Sequence, residues 1–255
     1  MAARPYVLSE TTWQTVREAD YRLAVLPWGA TEAHNTHLPY GTDALETGAI
    51  AIGAAGIAWS RGARVTVLPT MALGVQSGQL DVPLCLHTRP TTQLAILRDT
   101  VATAARARIP KLVIVNGHGG NEFRTLIREL QPDTDVFLAT INWYTCLDPK
   151  SFFEQPGDHG DEMETSLMLH LFPDFVRPLE EAGPGREKHF TVAALREGWA
   201  WAPRQWTRIS DDTGVGDPRR ATAAKGATFF QAVTERIAGF LVELAEVEPE
   251  SLYEV

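Results

Sequence analysis

Cysteine is scarce in this chain of 255 residues: Cys85 and Cys146 are the only two, far apart and without a Cys-x-x-Cys spacing. Neither a disulfide framework nor a zinc knuckle is indicated by that arithmetic, and both thiols are expected to pack in the core. Long apolar runs are missing too. The most apolar windows, 44–58 and 226–245, are broken by glycine or charge and are too short to span a bilayer, and the Met-Ala-Ala-Arg-Pro start has no apolar signal core. A soluble, cytoplasmic protein with no membrane partner is expected. Positive charge is in the minority, 23 basic against 32 acidic residues, and a net charge of -9 repels a phosphate backbone. Nucleic acid is therefore an unfavourable partner. No Gly-x-Ser-x-Gly elbow occurs, which argues against a Ser-His-Asp hydrolase, and no Gly-x-Gly-x-x-Gly spacing marks a phosphate loop.

What the chain does have is apolar content, 44%, enough for a large core, and one domain spanning 1–255 is expected. β-rich apolar runs recur at Leu23–Trp28, Arg64–Leu68, Leu112–Val115 and Val136–Ile141, with helical patterns between them. That alternation predicts βαβ units and a buried parallel sheet. A first helix is expected to be capped by Ser9 and to bury Trp13 and Val16. Others are expected over Ala44–Trp59, from Pro90, over Glu122–Leu130 and from about Arg219 to Glu246. Residues 174–218, rich in proline and glycine and weakly periodic, predict a long surface excursion.

Chemistry-bearing residues gather in three places. After the first strand comes Gly29-Ala-Thr-Glu32-Ala-His34-Asn-Thr-His37-Leu-Pro-Tyr-Gly-Thr-Asp43. Glu32 and His34 are two apart, so an extended segment sends both side chains off one face, and the turn before Asp43 can return it toward them. Mixed carboxylate and imidazole donors suit zinc, manganese or iron(II). After the third strand, Asn116-Gly117-His118-Gly119-Gly120-Asn121 places His118 at the same sheet edge, where ligands of parallel sheets collect. The third cluster, Asp158-His159-Gly160-Asp161-Glu162-Met163-Glu164-Thr165-Ser166, opens a helix. Its acidic residues could equally serve the helix dipole.

Taken together, the three clusters resemble the creatininase family pattern: Gly-Ser-x-Glu-Gln-His-Gly-Pro-His-Leu-Pro, then Asp, then Asn-Gly-His-Gly-Gly-Asn, then His-Ala-Gly-x-x-Glu-Thr-Ser. The resemblance runs from about residue 25 to residue 168. It implies an α/β three-layer sandwich and a hydrolase with two divalent metal ions, Zn²⁺ or Mn²⁺ and in some cases Fe²⁺. Glu32, Asp43 and His118 are then expected to hold one metal, and His34 with a bridging Asp43 the other. Creatininase itself completes the second site with a Glu where this chain has Gly120, and Glu164 is expected to take that role. Homo-oligomers, often hexamers, are usual in the family, and Trp199, Trp201 and Trp206 could supply a contact surface or a lid.

Departures from the family pattern fall on positions expected to face substrate. Asn35-Thr36 replaces Gly-Pro, Gly119 stands where creatininase has an aromatic, and Val75-Gln-Ser-Gly-Gln-Leu-Asp-Val-Pro replaces a His-containing segment. Ser77, Gly119, His37 and Asp158 are the expected substrate contacts. The expected reaction is hydrolysis of a C–N bond in a cyclic or other small amide by metal-activated water. His159 is expected to donate the proton to the leaving nitrogen, with Glu162 or Asp161 orienting it. Formamide, peptide or cyclic-ketone hydrolysis remain alternatives, as does a non-catalytic small-molecule-binding protein.

Overall fold

The computed structural model describes residues 3–253. Its centre is β1, Leu23–Trp28, buried along its whole length. Successive side chains of a strand leave opposite faces, and here Leu23 and Val25 enter one apolar cluster while Ala24, Leu26 and Trp28 enter another. A strand with two buried faces needs a cover on each, which is the physical origin of the three layers.

Strands β2 (Val65–Val67), β3 (Lys111–Asn116) and β4 (Phe137–Asn142) complete a parallel sheet in the order β2-β1-β3-β4. The chain thus leaves β1 in one direction to reach β2 and returns to its other side as β3. That reversal sets Trp28 and Asn116 opposite each other at the carboxyl edge and opens a crevice between the loops that follow them.

In chain order the helices are α1 (Trp13–Glu18), α2 (Thr42–Ser60), α3 (Pro90–Arg106), α4 (Phe123–Leu130), α5 (Glu162–Leu171), the short α6 (Ala193–Arg196) and α7 (Trp206–Ile209), and α8 (Ala223–Glu246). α2, α5 and α8 cover one face of the sheet, and α3 and α4 the other. On α8 Phe229, Val233, Ile237, Leu241 and Leu244 recur at three- and four-residue spacing and are all buried. At about 1.5–3 kcal/mol for each fully buried apolar side chain, that stripe is enough to dock the helix. Its C-terminus is closed by Lys111, itself buried, whose ammonium donates to the carbonyls of Leu244 (2.7 Å) and Ala245 (3.2 Å) and to that of Val247. A cation at the negative end of the helix dipole offsets part of the cost of its burial. No helix among the described residues is long and apolar enough to cross a membrane.

Three local expectations need correction. α1 is capped by Thr12, whose hydroxyl accepts from the Thr15 amide, because Ser9 lies inside a separate 3₁₀ turn. Trp13 is 74% exposed, with the Arg17 guanidinium over its ring 4.9 Å from the centroid. α8 begins at Ala223: Pro218–Arg220 form a 3₁₀ turn of their own, and Thr222 caps the helix.

Candidate metal centre

Six side chains from separate parts of the sequence converge at the crevice. Glu32 and His34 come from the loop after β1, and His118 from the loop after β3. Asp43 lies in the first turn of α2, and His159 and Glu164 flank the start of α5. Gly29 allows this convergence: a Cβ there would press into the backbone of Asp43 and Ala44, so only glycine lets α2 come so close to the end of β1. All six side chains are buried, none more than 8% exposed.

Asp43 is the hub. Its Oδ1 lies 2.9 Å from His34 Nε2 and its Oδ2 3.1 Å from His118 Nδ1. His118 Nδ1 is also 2.8 Å from Glu32 Oε1, and His34 Nε2 is 3.8 Å from Glu164 Oε1. His159 Nδ1 faces Glu32 Oε1 at 3.9 Å. Three overlapping triples result, Glu32–Asp43–His118, His34–Asp43–Glu164 and Glu32–His34–His159, the donor atoms of each within 4.8 Å of one another.

Each imidazole has its other nitrogen engaged by a backbone carbonyl. His34 Nδ1 donates to Glu32 O (3.1 Å), His118 Nε2 to Val75 O (3.0 Å) and His159 Nε2 to Ala33 O (2.7 Å). A ring nitrogen that donates in this way leaves a lone pair on its opposite nitrogen, and in all three rings that nitrogen is turned toward carboxylate oxygens. Lone pairs facing lone pairs in a buried site repel unless protons or cations lie between them. Asp43 Oδ2 makes no hydrogen bond in spite of its burial. Donor set, tautomers and orphaned oxygen therefore all fit divalent cations.

Protonation of the imidazoles answers the same repulsion. Burial pulls the His34 imidazole down, but the carboxylates of Asp43, Glu164 and Glu32 outweigh it and raise it to about 10. Burial likewise opposes charge on His118, yet Glu32 and Asp43 hold it well above its ordinary value. For Asp43 the two imidazoles overcome burial and keep the carboxyl low. Burial dominates at Glu164, pushing it up to about 8, and at His159, lowered to about 4 by burial and by His34.

The sequence profile of the Creatininase family, described as creatinine amidohydrolase, matches residues 9–241. The chain belongs to the creatininase family. Among proteins of known role it is 29% identical to the mycofactocin precursor peptide peptidase of Mycobacterium tuberculosis (strain H37Rv), over 83% of this chain and 81% of that one. A crystal structure from Bacteroides fragilis, provisionally named a creatinine amidohydrolase, superimposes with a TM-score of 0.92 at 43% identity, covering 98% of this chain and 99% of that one. A mutant creatininase in a Zn–Zn form shares the fold at TM-score 0.78 and 22% identity, over 96% of this chain and 100% of that one.

Beside this cluster lies a cavity of about 690 Å³, and Ser77, Gly119 and Asp158 line it, as do Glu32, His118 and His159. His37 does not. It is buried, with Nε2 2.8 Å from the Thr165 hydroxyl and away from the cavity lining. Glu162 does not orient His159 either. Its carboxylate accepts from the Glu154 (3.0 Å) and Gln155 (2.7 Å) amides and from Lys225, which makes it an anchor for the segment entering α5. Asp161 caps α5 through Met163 N (2.9 Å) and Glu164 N (3.0 Å), and the Ala33 carbonyl orients His159 in place of both acids. At position 120 an acidic side chain has no room, since a Cβ would strike the Val75 carbonyl and the His118 ring.

Sequence reasoning missed Gln79 and Glu46 and offered Trp206 only as part of a contact surface or a lid. Trp206 packs at a 51° tilt against His159 with centroids 4.4 Å apart, and the Arg204 guanidinium lies 4.8 Å from the indole centroid and is tied to Asp158 at 2.8 Å. The excursion 174–218 thus walls the cavity as well as crossing the surface. Glu46, one turn along α2 from Asp43, is buried with neither oxygen partnered, and burial followed by Glu164, Asp43 and Asp161 pushes it well above the usual carboxyl range. Gln79 donates to Glu32. An amphipathic reading of α2 could have found Glu46, the one acid among its buried positions after the first turn. Gln79 lies in an aperiodic segment that carries no such signal.

Proposed function

We propose that this chain is a hydrolase with a two-cation centre that splits the C–N bond of a cyclic or other small amide. The observation that carries the reading is the set of three imidazoles, each fixed by a backbone carbonyl and each turning its free nitrogen on carboxylates. Glu32, Asp43 and His118 would hold one cation and His34, Asp43 and Glu164 the other, with Asp43 shared. Zn²⁺ or Mn²⁺ suits these donors best, and Fe²⁺ is compatible. When bound, the cations supply the charge that acidifies water and polarises a carbonyl.

The chain's own residues do the rest. Neutral His159, its Nε2–H held by Ala33, keeps Nδ1 free to take the proton of the attacking water and pass it to the leaving nitrogen. Trp206, packed at a tilt against His159, keeps that ring in place and screens it from solvent. Ser77, Gly119 and Asp158 meet the substrate along the cavity wall. We further infer a cytoplasmic homo-oligomer, in the expected form a hexamer, with the exposed Trp199 and Trp201 available as contacts.

One observation favours a second reading within the same chemistry. A cavity of about 690 Å³ is of the size that takes drug-sized ligands, more than a single small ring requires, which supports an amide within a longer molecule such as a short peptide. The test is turnover of a panel of lactams, formamides and short peptides by the Mn²⁺- and Zn²⁺-loaded protein, before and after chelation. Hydrolysis that stops on chelation and returns with metal supports the proposal, and turnover undiminished after removal of all metal refutes it.

A further inference from the structure

The segment Val75–Pro83, which replaces a His-containing segment of the family pattern, sends Val75, Gln76, Ser77 and Gly78 to the cavity wall. The next side chain turns inward. Gln79 is wholly buried, and its Nε2 donates to Glu32 Oε2. Its other end is held too: Gln79 Oε1 accepts from the Cys85 thiol at 3.1 Å, and Cys85 Sγ accepts the Ala33 amide at 3.4 Å. This chain fixes the carboxamide one way round, since the reverse orientation would turn an oxygen on the carboxylate and a donor on the thiol. Glu32 is left with divided duties, Oε2 on Gln79 and Oε1 directed at His118 Nδ1.

We propose that Gln79 is a positioning residue that presents Glu32 to the metal centre through one oxygen and couples that centre to the cavity wall. The inference rests on the two-cation reading above. A carboxylate with both oxygens free can rotate or chelate a cation in two-oxygen fashion. A buried amide bonded to one oxygen disfavours both options, and hydrogen bonds to charged acceptors are about twice as strong as neutral ones. The coupling runs through the backbone. Gly78 O accepts the Trp206 amide at 2.9 Å, so the turn that carries Gln79 also holds the indole lying on His159.

The experiment is Mn²⁺ titration of chelator-stripped wild-type and Gln79→Leu protein, followed by calorimetry and electron paramagnetic resonance, with circular dichroism to establish folding. The wild type is expected to bind two ions. The variant is expected to bind one of them about 10- to 100-fold more weakly, as is usual when an outer partner of a metal ligand is removed, and the other unchanged. Cys85→Val leaves Gln79 in place but frees its carboxamide, so a smaller loss confined to the same ion is expected. That variant carries the comparison should Gln79→Leu fail to fold. Two affinities equal to wild type, or an equal loss at both sites, would overturn the role of Gln79 alone. A wild type that binds no Mn²⁺ would overturn the two-cation reading and this inference with it.

Discussion

Asp43 Oδ1 and His34 Nε2 meet at 2.9 Å although the ring's other nitrogen already donates to the Glu32 carbonyl. With Nδ1 as the donor, both atoms at the contact are acceptors, and something positive must lie between or beside them. The second oxygen of Asp43 stands in the same relation to His118. Asp43 is therefore the one carboxylate common to the two triples that carry the proposed ligand sets.

Replacing Asp43 by Ala is expected to abolish binding of both cations together. Metal analysis of the purified variant by mass spectrometry checks this. Retention of one full equivalent would reject the shared role while leaving a one-metal site standing.

Glu164 contributes to one triple only, so Glu164→Gln should deplete a single cation and spare the site built on Glu32 and His118. Because Glu164 Oε2 also accepts the Gly160 amide, a bond that Gln can keep through its own carbonyl oxygen, the fold is expected to hold. Stoichiometry near one, with an unchanged circular dichroism spectrum, is the outcome sought.

His159→Gln should retain both cations and lose turnover. General acid–base groups typically contribute 10²- to 10⁴-fold, and kcat should fall by about that factor. A variant that instead loses metal would reassign His159 from proton transfer to ligation through the Glu32–His34–His159 triple.

His37 gives the chain an acid-sensitive element apart from its chemistry. Burial first, and then the charge of His34, lower it from 6.5 to about 4. A depressed imidazole favours the folded state above the unfolded value, so stability is complete above about pH 6.5 and is lost as the pH falls toward 4. The loss should be about 3 kcal/mol, read from urea unfolding at several pH values. His37→Phe should flatten that slope whatever it does to absolute stability.

Much of this was legible in the sequence because the residues concerned sit beside strong local signals. The parallel strands announce themselves as short apolar runs, and β1, β3 and β4 fall within a residue or so of their expected bounds. Glu32, His34, Asp43, His118 and Glu164 follow strand ends or open helices, and the fold brings all five together. Glu162 misled because a first-turn acid looks the same whether it faces a site or anchors a loop. Only the fold places it on Lys225 and away from His159.

Other features depend on contacts far apart in the chain, which no local pattern records. Gln79 reaches Glu32 across 47 positions, and Trp206 reaches His159 from within an aperiodic segment. His37, directly after the substitutions Asn35 and Thr36, looked substrate-facing. One further residue along the loop turned it inward to Thr165.

The most direct test of the two-cation centre is anomalous diffraction from crystals grown with Mn²⁺. Two peaks flanking the Asp43 carboxylate are expected, one in reach of Glu32 and His118 and the other in reach of His34 and Glu164. No peak at Asp43, or a single peak that leaves one of these pairs without a cation, would contradict the account.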